Sequence, residues 1–159
     1  MSAELRSLIE LASWKIEKIF RIRGEILAMW HYVKADGEHV IMPPPAADKD
    51  TSCTLMRVLF EIDNVVRYLF IDEAWMAHIE DDAKLADWLK SGHPVREHPK
   101  RREIVVFAGE DSEGAMQAHR DIIRPQHGKP HLGSLVFDHF TESQGRLIGM
   151  LPRKGATLQ

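Results

Sequence analysis

VVRYLFIDEAWM, residues 65–76, and EHPKRREIVVFAGEDSEG, residues 97–114, decide how this chain is read. Each contains a run of β-branched and aromatic residues, the composition that favours strands, and each is bounded by ionisable side chains. The first run is apolar on both faces, which places it centrally in a sheet. Arg67 is the exception and needs a partner if buried. Strand alternation sets Arg67, Leu69, Ile71, Glu73 and Trp75 on one face and turns Asp72 and Ala74 to the other. The second segment carries Glu97, His98, Arg101, Arg102 and Glu103 ahead of a strand over 103–109, with Glu110 and Asp111 after it. Pairing the two segments is expected to gather carboxylates, a histidine and arginines at one rim.

The rest of the chain is built around that pair. Residues 3–22 carry Leu5, Leu8, Ile9, Ala12, Ile16, Ile19 and Phe20 at three- and four-residue spacing, an amphipathic helix with Ser2 as cap and Gly24 as stop. Strands follow over 25–34 and 38–42, with Asp36-Gly37 as a hairpin signal between them. Pro43-Pro44-Pro45 ends pairing. A second helix is expected over 50–63, capped by Asp50 or Ser52 and left through Asn64, and a short third helix over 81–91. Residues 93–102 form a polar excursion, 110–114 a turn, 115–124 a strand, 125–132 a loop, and 133–140 and 146–151 two last strands. Short connections make the neighbours antiparallel. The chain is therefore read as α+β: a single mainly antiparallel sheet of about six or seven strands with two or three helices packed on it, on one face, bending towards a half-barrel. One domain is expected over 1–152, with a flexible tail over 153–159.

With 159 residues and 44% hydrophobic content, the chain suits one domain with a real core. A net charge of −3 argues against a nucleic-acid partner. Cys53 is the one cysteine, which rules out an internal disulfide and fits a reducing compartment. Charges run through the first apolar stretch, so neither a signal peptide nor a membrane span is read there, and a cytoplasmic protein is expected.

Candidate chemistry concentrates in the two opening segments. Glu73 beside Trp75 is a candidate general base, or else half of an ion pair that holds the rim. His98 is a candidate proton shuttle fixed by Pro99, and Arg101 a candidate clamp for a carboxylate or phosphate. Trp75, Glu103, Glu110 and Asp111 are candidate binding residues, although Asp111 in a turn also suits a bond to its own backbone. Nine histidines invite a metal, but their spacing gives no ligand set, so no metal and no cofactor are expected. No phosphate-binding glycine loop and no nucleophile elbow is present.

The run Arg67–Met76, followed by His98-Pro99-Lys100-Arg101-Arg102-Glu103 and then Glu110-Asp111-Ser112-Glu113-Gly114, resembles a group of small, uncharacterised bacterial and phage-associated proteins. Their pattern is Glu-Ala-Trp, then His-Pro-x-Arg-x-Glu, then Glu-Asp-x-x-Gly. The resemblance implies no activity; it implies that Glu73, Trp75, His98, Arg101, Glu103 and Glu110 belong together in space. The order of helix, hairpin, helix and central strand is similar to that of JAB/MPN-type metallopeptidase domains. This chain departs from them where Phe70 and Asp72 stand in place of a His-x-His pair, so the resemblance implies a metal-free relative. Three readings follow. The favoured one is a non-catalytic domain acting by self-association, as a homodimer, or by binding a protein partner. The alternatives are a small hydrolase- or lyase-like enzyme using Glu73, His98 and Arg101, and the metal-free JAB/MPN-like domain.

Overall fold

The computed structural model describes residues 2–77, 82–138 and 149–152. Helix α1 spans Ala3–Arg23. Its start is fixed by Ser2, whose Oγ accepts the Leu5 N–H at 3.1 Å, and its end by Gly24 at φ 72°, whose N–H reaches the Phe20 carbonyl at 2.8 Å. Leu5, Leu8, Ile9, Ala12, Ile16 and Phe20 form its buried stripe. Trp14 lies off that stripe, with the Lys18 ammonium 3.5 Å from its ring centroid. Helix α2 spans Lys49–Ile62. Its cap is Asp48, whose carboxylate accepts the Thr51 N–H at 2.8 Å, not Asp50 or Ser52. Asn64 leaves it at φ 50°, a left-handed conformation that asparagine tolerates. Helix α3 spans Asp82–Lys90, and a single 3-10 turn, Val95–Glu97, follows.

The strands are β1 (Met29–Lys34), β2 (His39–Met42), β3 (Val65–Ala77), β4 (Arg101–Asp111), β5 (Gly114–Ile123), β6 (His131–Leu132) and β7 (Val136–Phe137). All pairings are antiparallel, in the order β2-β1-β3-β4-β5-β6, with β7 also on β5, and the sheet curls towards a half-barrel. The fold is α+β. The long β3–β4 ladder runs from Arg67 opposite Asp111 to Ala77 opposite Arg101. It is tight at Gly109, where an added Cβ would stand 2.1 Å from the Tyr68 carbonyl oxygen.

The helices do not share one face. On one side α1 packs against Val33, Leu69, Ile71, Val105, Phe107, Met116, Ala118 and Ile122. On the other, Cys53, Met56 and Phe60 of α2 pack against Trp30, Tyr32 and Tyr68, with Met150 joining them. The cause is visible in β3: a strand apolar on both faces needs cover on both. Arg67, on the α1 side, finds its partner in Glu4 at 2.8 Å.

Smaller differences have local causes. Residues 25–28 connect α1 to β1 and are not strand, because the Ile26 N–H is taken by a side chain. Pairing in β4 continues to Asp111, so the turn is shorter than 110–114. Among the described residues 133–138 the strand is the two residues of β7, and 139–140 lie outside the described residues. Of the strand expected over 146–151, residues 149–151 are not strand, and 146–148 lie outside the described residues, as does the tail 153–159.

Candidate functional site

Antiparallel pairing separates the ionisable residues into two groups. Trp75 stands opposite Glu103, whereas Glu110 stands opposite Tyr68, seven residues along β4. At the rise of a strand that is about 23 Å. One rim therefore holds Glu73, Trp75, Arg101 and Glu103, and the other end of the hairpin holds Glu110 and Asp111. The gathering of all these residues at one rim does not occur.

At the first rim, Glu73 Oε1 accepts the Ile26 backbone N–H at 2.8 Å and so ties the α1–β1 connection to the sheet. Glu103 receives Arg124 through Nε at 2.6 Å and Nη2 at 3.4 Å. His98 Nδ1 accepts the Lys100 N–H at 3.0 Å, and its ring meets Trp88 edge-on at 4.5 Å. Arg101 donates to the His98 carbonyl at 3.2 Å, with its guanidinium carbon 5.8 Å from the Trp75 ring centroid. Trp75, Arg101 and Glu103 do share a shallow cleft with Pro99, Arg102 and Asp121, but Glu73 and His98 are not on its wall. At the far end, Glu110 Oε2 accepts from the Tyr68 hydroxyl at 2.9 Å and the Gly149 N–H at 2.7 Å. Asp111 Oδ1 accepts the Glu113 N–H at 2.8 Å, the local bond expected of Asp in a turn.

A more enclosed chemical environment than the Trp75 cleft lies on the α2 side of the sheet. A cavity of about 590 Å³ opens where α2 begins, between β1, β3 and the proline run. That volume is in the range of small-molecule sites. Trp30 and Phe70, with ring centroids 4.8 Å apart, together with Pro44, Pro45 and Cys53, supply apolar wall. The prolines have no N–H and hold the chain extended there. Asp72 contributes a half-buried carboxyl and Lys49 an exposed ammonium. Asp72 Oδ1 accepts the Glu73 N–H at 2.8 Å. Burial pushes the Asp72 pKa up, against the opposing pull of that N–H and of the Lys49 charge. Trp30 Nε1 and Ser52 Oγ, on residues that also line the cavity, are sealed from solvent and have no hydrogen-bond partner among the described residues.

Two buried histidines were not singled out by their spacing. His31 Nε2 lies 2.9 Å from His39 Nδ1 across the β1–β2 hairpin, on the α1 side. Its pKa is held down to about 4, first by burial, then by His39 and Lys15. His119 Nδ1 lies 2.8 Å from Asp138, which also takes the Gln117 side chain at 3.2 Å, so the pair fastens the segment after β7 to β5. No group of three or more His, Cys, Asp or Glu among the described residues is placed to hold a metal ion. No described helix is long and apolar enough to cross a membrane.

The cavity had one legible signal, Asp72 set against aromatic neighbours on the face away from Glu73, with the triproline Pro43–Pro45 lying before α2. Spacing alone did not bring those two segments together. Compared with family models, curated proteins and solved structures, the chain matches none.

Proposed function

We propose that this chain is a non-catalytic binding domain whose ligand site is the cavity between α2, β1 and β3. The observation that carries the reading is the contrast in polar satisfaction. Glu73, Glu103, Glu110 and Asp111 are each engaged in bonds that hold the fold together, whereas the cavity is a preformed apolar space with one carboxyl on its wall. An acid–base pair needs hydrogen-bond reach between its members and the reacting atom. Glu73 and His98 are instead turned to backbone N–H groups. The enzyme reading and the metal-free JAB/MPN-like reading draw less support from this arrangement than binding does. The test is a titration of ¹⁵N-labelled protein with indole. Saturable shifts at the Trp30 side-chain N–H and at the amides of Cys53 and Phe70 are expected, and are lost in Ala28→Trp, which fills the cavity. Absence of saturable shifts, or shifts confined to the Trp75 cleft, would overturn it.

Self-association is the second reading, favoured by α2. Its inner face buries Ser52, Cys53, Met56 and Phe60, yet Leu55, Val58 and Ile62 stand on its outer face, 45%, 52% and 70% exposed. Their spacing forms a stripe over two turns. Centred on Val58, an antiparallel pairing of two copies sets each Leu55 against the other copy's Ile62, the self-complementary geometry of a two-fold dimer. Sedimentation equilibrium is expected to give a dimer that Val58→Glu converts to monomer; a wild-type monomer rejects it. In either reading the partner is neither nucleic acid nor membrane, and the setting is the cytoplasm of a bacterium.

A further inference from the structure

We propose that the cavity between α2, β1 and β3 is selective for a small organic cation, an amine on a compact aromatic or aliphatic body, with Asp72 as the anchor for its ammonium. This rests on the reading that the cavity is a ligand site.

The argument starts from where the two charges sit. Asp72 is the one acid on the cavity wall among the described residues, and it is half-buried. Lys49 is the one base, and it is exposed. An exposed charge keeps its water and is screened by salt, while a charge on an apolar wall is screened much less. The potential felt by an occupant beside Trp30 and Phe70 is therefore set mainly by the carboxylate, with the ammonium opposing it more weakly.

The three charge classes of ligand then differ in what they do to Asp72. An anion entering the cavity meets like charge and must shed its own hydration. A neutral body removes the remaining water from Asp72 and offers no counter-charge, which is costly for a carboxylate. An ammonium replaces that water with donors and an opposite charge. Asp72 Oδ1 is already occupied by the Glu73 N–H, so the second carboxylate oxygen is the natural acceptor. Trp30 and Phe70 line the same cavity, and aromatic rings attract cations placed over them. The upward push on the Asp72 pKa agrees, because burial strips water from the carboxylate by more than the Glu73 N–H and the Lys49 charge restore.

The test uses one ring body in three charge states: tryptamine, indole-3-acetamide and indole-3-acetate, titrated into the full chain at pH 7 by calorimetry. Tryptamine is expected to bind at least about tenfold more tightly than the amide, a difference of the size of one desolvated cation contact, and the acetate most weakly. In Asp72→Asn the amine and the amide are expected to bind alike, the amine more weakly than to wild type and the amide no more weakly, since the cost of desolvating a carboxylate is gone. Lys49→Ala, at the exposed mouth, provides a check that does not depend on the packing around Asp72. It is expected to tighten tryptamine and leave the amide as it was. If the amide binds as well as tryptamine, cation selectivity is overturned while the cavity remains a binding site. If none of the three binds, the binding reading itself fails and takes this inference with it.

Discussion

The two faces of the sheet are covered by helices of different length, and the difference explains where the molecule is closed and where it is open. On one face α1, with 21 residues, lies over a continuous apolar layer from Val33 to Ile122. On the other face α2 has 14 residues, about 10 Å less helix at the usual rise. The shorter helix seals Tyr32, Val65 and Tyr68 but leaves the ground between Trp30, Phe70 and the proline run uncovered, and the cavity forms there. The lesson is that a sheet apolar on both faces can spend one face on stability and leave part of the other for recognition. If that is correct, substitutions on the α1 side meet a packed, fully used environment, and substitutions beside the cavity meet slack.

The largest effect is expected at Gly109, on the α1 side of β4. A Cβ there would meet the Tyr68 carbonyl oxygen and Leu69 Cδ2 at 2.1 and 2.6 Å. The first of these atoms is backbone and cannot swing away. Gly109→Ala is expected to cost about 3 kcal/mol or more, the upper range for overpacking, read by urea denaturation. A loss within about 1 kcal/mol would mean that the β3–β4 ladder yields more readily than a closed face should.

His31 tests the same face through pH. Its residue is 1% exposed, and its pKa lies near 4 in the fold against an ordinary 6.5. A histidine whose folded pKa is depressed binds its proton more readily unfolded. Its contribution is therefore complete above pH 6.5, is lost as the pH falls from 6.5 towards 4, and levels off below. The total is up to about 3 kcal/mol. Denaturation of wild type and His31→Gln at steps between pH 7 and 4 should show a difference in stability that narrows in this window. A constant difference would place His31 in contact with water.

Glu73 comes next. Glu73→Ala leaves the buried Ile26 N–H without its acceptor, with an expected loss of about 1–3 kcal/mol. Glu73→Gln keeps an acceptor oxygen and should recover most of it. Equal losses for both would mean that charge, and not the N–H, is what the site requires.

These outcomes bear on what was legible in the amino-acid order. The β3 and β4 runs were legible because long stretches rich in β-branched and aromatic residues, interrupted only by Gly109 near the end of β4, have few alternatives. The caps Ser2 and Gly24 were legible because each satisfies orphan backbone groups of its own helix. The helices were read as sharing one face and instead cover both, although Tyr68 and Phe70 alternating with Leu69 and Ile71 carry the signal that both faces need cover. The partners of Glu73 and Glu103 were not legible either. Ile26 and Arg124 lie 47 and 21 residues away from them, and no local pattern marks such pairs. Gathering Glu110 with Glu103 was the opposite error, since the two ends of one antiparallel strand cannot meet.

The smallest effect is expected beside the cavity, and its sign is what matters. Ser52 is buried in α2, and its Oγ has no hydrogen-bond partner among the described residues. Ser52→Ala removes a desolvated hydroxyl that returns nothing, and alanine is the better helix former by up to about 0.5 kcal/mol. The void left is a single oxygen beside space that is already open, so no new cavity is created in a packed core. The expected result is a gain of about 0.5–1 kcal/mol, measured by urea denaturation with the midpoint and slope fitted together. The same exchange at Ser13 on α1 gives the internal control. Its Oγ receives the Arg120 guanidinium at 3.4 Å, so Ser13→Ala should lose stability instead. If Ser52→Ala also loses stability, its hydroxyl is held by a bond, and the α2 face is not the slack one.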